Sequence, residues 1–166
     1  GGDGTPRVRL PRAEDLPVRK RTRGRELALQ LLYMVDARGD EALLGVDDFL
    51  KDEAPDEQEA HDFARQLLSG TLDHQEEIDK AISAAAQNWH LRRMAIVDRN
   101  ILRMAVYEML HLKDIPAKVS INEASEMGKR FSTQQSGAFI NGILDRIRRD
   151  LGRPADESAA PRDEAG

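Results

Sequence analysis

Cysteine is absent from the 166 residues, which removes disulfides, thiolate nucleophiles and cysteine-ligated zinc or iron–sulfur clusters together. Aromatic residues make up only 4% of the chain, so each position they occupy carries weight. No apolar run approaches the roughly 18 residues of a membrane helix, and residues 6–25 contain no hydrophobic block of a signal peptide. A cytoplasmic location and no membrane contact are the expectations. Neither Gly-x-x-x-x-Gly-Lys nor Gly-x-Gly-x-x-Gly occurs, so no phosphate-cradling loop of a nucleotide enzyme is present. The alternation and β-branched clusters of a sheet are missing too.

What is there is charge. The chain has net charge −5, yet Arg19, Lys20, Arg21, Arg23 and Arg25 fall within seven residues that hold no acid. A local charge so opposed to the global one is either a solvated arm that serves solubility or, where the arginines are fixed on a packed helix, a surface offered to phosphates. The cluster runs directly into Leu27, Leu31 and Val35, with Ala28 and Leu32 beside them, which is one face of a helix expected over about 22–37 and ending near Gly39. Cations at a helix start can meet phosphates together with the free backbone N–H groups there. Residues 36–80 then carry fifteen acids against four Lys or Arg, and this half of the molecule is expected to project a negative field.

Helical spacing organises the rest. A short helix is expected around Val46–Lys51. Pro55-Asp56 followed by Glu59 reads as a capping box opening a third helix with Ala60, Phe63, Ala64, Leu67 and Leu68 on one face. Gly70 either ends that helix or lies at a bend before Ile78 and Ile82. Trp89 is expected in the core, joining two halves of the fold. From Asp98 the pattern is densest, with Ile101, Ala105, Met109 and Leu112. Ser120-x-x-Glu123 reads as a second capping box, and Ala124 and Gly128 would let a neighbouring helix approach closely. Residues 132–137 read as a polar loop before a last helix bearing Phe139, Ile140, Ile143, Leu144, Ile147 and Leu151. The expected fold is all-α, about six or seven helices in two packed bundles. A flexible arm over 1–18 and a disordered acidic tail over 152–166 would flank an all-helical domain at 19–151.

Groups positioned for catalysis are few. No two of the four histidines, His61, His74, His90 and His111, stand at His-x-x-x-His spacing, and each is expected to be a structural or surface residue. Adjacent carboxylates such as Asp47-Asp48 or Glu76-Glu77 point to different sides of a helix. The chain therefore reads as no enzyme, with no metal and no cofactor. Tyr33, Phe131 and Phe139 are read either as rings that stack single-stranded bases or as core aromatics at helical spacing, the two readings weighing equally for Phe139.

Four ordered blocks are similar to the NusB family of bacterial transcription antitermination factors. They are Arg23–Tyr33 (RGRELALQLLY), Ile101–Leu110 (ILRMAVYEML), Ile115–Ala124 (IPAKVSINEA) and Phe139–Ile147 (FINGILDRI). The resemblance implies a non-enzymatic adaptor of two helical bundles that binds single-stranded boxA RNA of ribosomal RNA transcripts together with NusE, a small-subunit ribosomal protein. NusA, NusG and RNA polymerase would complete its antitermination complex. Matched position by position, it implies RNA contacts at Arg21, Arg23 and Arg25 and at Tyr33, Phe131 and Phe139, with Arg19 and Lys20 in the same basic run, and partner contacts at Asp98 and Arg103. In the loop, Gln135 stands where better-known members have an acid and Ala138 where they have a lysine, so RNA contacts there should differ. Monomer and homodimer are both compatible with the resemblance. The alternative is a helical scaffold whose acidic half recruits a basic partner. A third reading, the accessory domain of RNA methyltransferases, is disfavoured because no catalytic domain follows Leu151.

Overall fold

The computed structural model describes residues 16–155, and the expectations for the arm before Leu16 and for the tail beyond Ala155 lie outside them. Among the described residues there are seven α-helices and no strands. They are α1 (Val18–Arg38), α2 (Val46–Glu53), α3 (Gln58–Asp73), α4 (Gln75–Ala85), α5 (Ile96–His111), α6 (Ala117–Phe131) and α7 (Gln134–Asp150), with short 3₁₀ turns at Asp40–Gly45 and Leu91–Arg93. None of these helices is long and apolar enough to cross a membrane.

Helix α5 is the axis of the fold. It packs against α1, α3, α4, α6 and α7 and buries Ile101, Leu102, Met104, Ala105, Val106 and Met109 almost completely. A helix apolar on two adjacent faces has to be surrounded. Helices α1 and α3 form the tightest pair on one side of it, and α6 and α7 on the other. The second pair meets at glycine: a Cβ on Gly128 would lie 2.8 Å from Ile140 Cδ1 and 3.2 Å from the Gly137 amide. Small residues there let the two backbones approach, as the spacing of Ala124 and Gly128 predicts.

Several boundaries differ from the sequence reading. Helix α1 begins four residues early, directly after Pro17, and ends as expected at Gly39, whose φ of 84° lies in the left-handed region. The first expected capping box does not form. Asp56 adopts a left-handed turn at φ 64°, and α3 starts two residues later with no side-chain cap. Nor does the second, because the chain enters α6 from Pro116 and Ser120 sits within the helix, donating to Glu108 Oε1 at 2.8 Å. Gly70 does not end α3. It lies inside the helix, where the Tyr107 ring fills the place of a Cβ, and the bend comes at His74. The polar loop before α7 is short, since Thr133 Oγ1 accepts from the Ser136 amide at 2.9 Å and so caps a helix that starts at Gln134. Trp89 is not core: it is 56% exposed and meets Phe139 edge-on, with centroids 5.5 Å apart. Leu151 is also exposed. Past it, Arg153 lies against the fold, its guanidinium donating to the Met109 and Ile115 carbonyls.

Candidate nucleic-acid interface

The residues singled out by sequence separate into an inward set and an outward set. Arg25 is inward, and its expected phosphate contact gives way to an internal ion pair. The side chain is 1% exposed and donates through Nε and Nη2 to the two carboxylate oxygens of Glu108, each at 2.8 Å. Glu123 Oε1 stands 3.5 Å from Nη1. Burial opposes the guanidinium charge, but the charge and hydrogen bonds of Glu108, with Glu123 behind, outweigh it and hold Arg25 above its ordinary range. A cation so enclosed fixes α1 onto α5 and α6.

Arg103 is also turned inward. It donates to both oxygens of Asp79, at 2.8 and 3.1 Å, and to Asp36 at 3.3 Å. Asp36 additionally accepts a bidentate pair from Arg99 at 2.7 and 2.8 Å and a bond from the Asn100 amide at 2.9 Å. The Arg99 hydrogen bonds, helped by Asn100 and the charge of Arg103, hold the Asp36 carboxyl below its ordinary value of 3.8. Because the folded value is the lower one, the stabilisation is complete above pH 3.8 and is lost as pH falls through the folded value. Acid unfolding followed by far-UV circular dichroism should therefore be less steep below that pH for Asp36→Asn than for the unaltered chain, and identical profiles would contradict the network.

Asp98 is 8% exposed, accepts from the Ser136 hydroxyl at 3.0 Å and thereby ties the start of α5 to the start of α7. Its second oxygen has no hydrogen-bond partner among the described residues.

The outward set lies along one surface. Arg19, Glu26, Gln30 and Tyr33 follow one another at steps of seven, four and three along α1, which places them on one stripe about 21 Å long. Tyr33 and Phe131, 43% and 44% exposed, line a hollow of about 350 Å³ with Leu29, Met34, Phe49 and Val97. A second hollow, about 280 Å³, is lined by Trp89, Arg93, Asp98, Gln135 and Phe139 among others. The two adjoin across Val97-Asp98 and the Phe131–Thr133 segment. Tyr33 is thus brought, from about a hundred positions away in sequence, to the same region around the start of α5 as Phe131, Gln135 and Phe139.

Lys20 and Arg23 are engaged but at the surface. Lys20 Nζ lies 2.8 Å from Glu59, and Arg23 donates to the Glu53 carbonyl at 2.8 Å beside Glu57 at 3.6 Å. Arg21 is half-buried, its Nε without a hydrogen bond among the described residues, and Arg19 is exposed.

Two further residues on this face escape sequence reasoning. Trp89 reads as core because a lone tryptophan usually serves there. Arg130 stacks over Phe131, its guanidinium carbon 5.2 Å from the ring centroid, and stands 3.8 Å from Glu26. Its position next to an aromatic in the sequence is the signal that could have found it.

A sequence model of the NusB family matches residues 22–149. The chain is 48% identical over 132 residues to the transcription antitermination protein NusB of Anaeromyxobacter dehalogenans, covering 77% of this chain and 89% of that one. It is 51% identical over 124 residues to the protein of the same name from Geobacter sulfurreducens, covering 75% and 90%. Among solved structures, T. maritima NusB superposes with a TM-score of 0.70 at 40% identity, covering 78% of this chain and 91% of that one. A crystal structure of the antitermination factors NusB and NusE in complex with double-stranded RNA gives a TM-score of 0.74 at 26% identity, covering 81% and 99%.

Proposed function

The chain belongs to the NusB family of antitermination factors, and from that premise we propose that it binds single-stranded boxA RNA of ribosomal RNA transcripts together with NusE. The observation that carries this reading is the outward set: exposed rings at Tyr33, Phe131 and Trp89, the last with the half-buried Phe139 edge-on against it, on a face flanked by the basic start of α1. Rings with one open face accept bases of any identity, and nearby cations hold the backbone. Arg19, Lys20, Arg21 and Arg23 supply the phosphate contacts, and Gln135 adds a neutral polar contact beside Phe139. Arg25 is excluded from that set by its burial and acts by fixing the helix that carries the others. Asp98 and Arg103 affect NusE docking through the helices they hold together. The RNA-bound pair then joins NusA, NusG and RNA polymerase. A homodimer built on the same aromatic hollows would cover them, so self-association there competes with RNA.

With four cations on phosphates, log affinity for a single strand should fall against log salt with a slope of about −3, from roughly −0.7 per contact. Arg19→Ala together with Arg21→Ala should reduce the slope by about 1.4 while far-UV circular dichroism is unchanged. A slope near zero in the unaltered chain would overturn the phosphate assignment.

A further inference from the structure

At the opposite end of α5, about 20 Å of helix away from Asp98, three side chains from separate elements converge. His74 forms the bend between α3 and α4, Glu77 lies in the first turn of α4, and His111 is the last residue of α5. One donor atom from each lies within 4.8 Å of the other two. His111 Nε2 is 2.7 Å from Glu77 Oε1, and the two imidazoles stack with centroids 3.9 Å apart.

We infer that His74, Glu77 and His111 form a binding site for a divalent transition metal, zinc being the ion whose chemistry they fit best. Two imidazoles and one carboxylate are an established zinc donor set that leaves a fourth position for water. Magnesium and calcium prefer all-oxygen shells and would gain little from imidazole. Bonds of about 2.0–2.1 Å at tetrahedral angles require donors roughly 3.4 Å apart with the ion in the plane of each imidazole, so the two rings, stacked with 24° between their planes, turn out of that stack when they bind it.

The surroundings favour this use. Tyr107, 7% exposed, stacks on both histidines at 5.5 and 6.1 Å on their inner side, and Glu77 and His111 are exposed on the outer side, where the donors have room to turn toward an ion. Asp73 and Glu76 line the same hollow and raise the local concentration of cations. Lys80 is drawn to Glu76 at 3.7 Å, so Glu77 is engaged by His111 alone among the described residues, and that contact gives way when both ligate an ion. Glu108 stands three residues before His111 but faces inward to Arg25, so the carboxylate has to come from α4. Histidines 37 positions apart carry no recognisable spacing, and only the fold brings them together. A bound metal would pin the α3–α4 bend to the end of α5.

The test uses the full chain with zinc chloride or cobalt chloride after treatment with a chelator. Zinc should raise the melting temperature at one equivalent per chain, cobalt should give the visible absorption of a four-coordinate ion, and magnesium should do neither. Glu77→Gln and His111→Ala should lose both responses while keeping the helix content of the metal-free protein. No zinc-dependent shift in the unaltered chain, or the same shift in both variants, would overturn the assignment. RNA affinity is not a readout, so this outcome is independent of the proposed function.

Discussion

Replacing Glu108 with Ala is expected to lower the unfolding free energy by about 3–5 kcal/mol. That is a large share of the roughly 5–15 kcal/mol typical of a domain. Glu108 is 1% exposed and receives both Arg25 hydrogen bonds and the Ser120 hydroxyl. Its removal leaves a buried guanidinium with only Glu123 at 3.5 Å, and a buried charge without a close partner is far more costly than the pair itself contributes. Changing both members, Arg25→Met with Glu108→Leu, should restore most of the loss because no charge remains to be solvated. Urea unfolding separates the cases. A loss for Glu108→Ala below about 1 kcal/mol, the ordinary range of a point change, would mean that the pair does not bear on the fold as described.

The second large effect concerns the aromatic face. Trp89→Ala and Phe131→Ala should each weaken single-stranded RNA binding by about 1–3 kcal/mol, or roughly 5- to 150-fold. Both rings are about half exposed, so the melting temperature should change little, which separates a stacking role from a packing one. Phe139→Ala is less informative, since that ring is half-buried against the core. Unchanged affinity in both the Trp89 and the Phe131 variants would remove the stacking platform.

How far the sequence can be read depends on whether the signal is periodic or positional. The dense spacing around Ile101, Ala105 and Met109 identifies α5 as the central helix, because burial on two faces leaves a repeating trace. The four family blocks, in order, point to the family and its all-α fold. Caps mislead because Asp56, Ser120 and Glu123 are cap-forming residue types whose side chains or backbones are otherwise engaged here. The sequence offers candidate site residues but not which of them face outward together. Arg19 and Arg25 look equivalent in a basic run, yet six positions on a helix turn them far enough apart that one meets solvent and the other meets Glu108. Trp89 gives no periodic cue, being in a turn after α4. The pairing of His74 with His111 crosses 37 positions and arises only when α4 packs on α5.

The outward face, on this reading, recognises single-stranded boxA RNA with NusE. Its most direct test is the affinity of the full chain for boxA RNA against an RNA of the same composition in scrambled order, measured with and without NusE. Tighter binding to boxA is expected, with a larger preference when NusE is present. Equal affinity for the two RNAs under both conditions would contradict it.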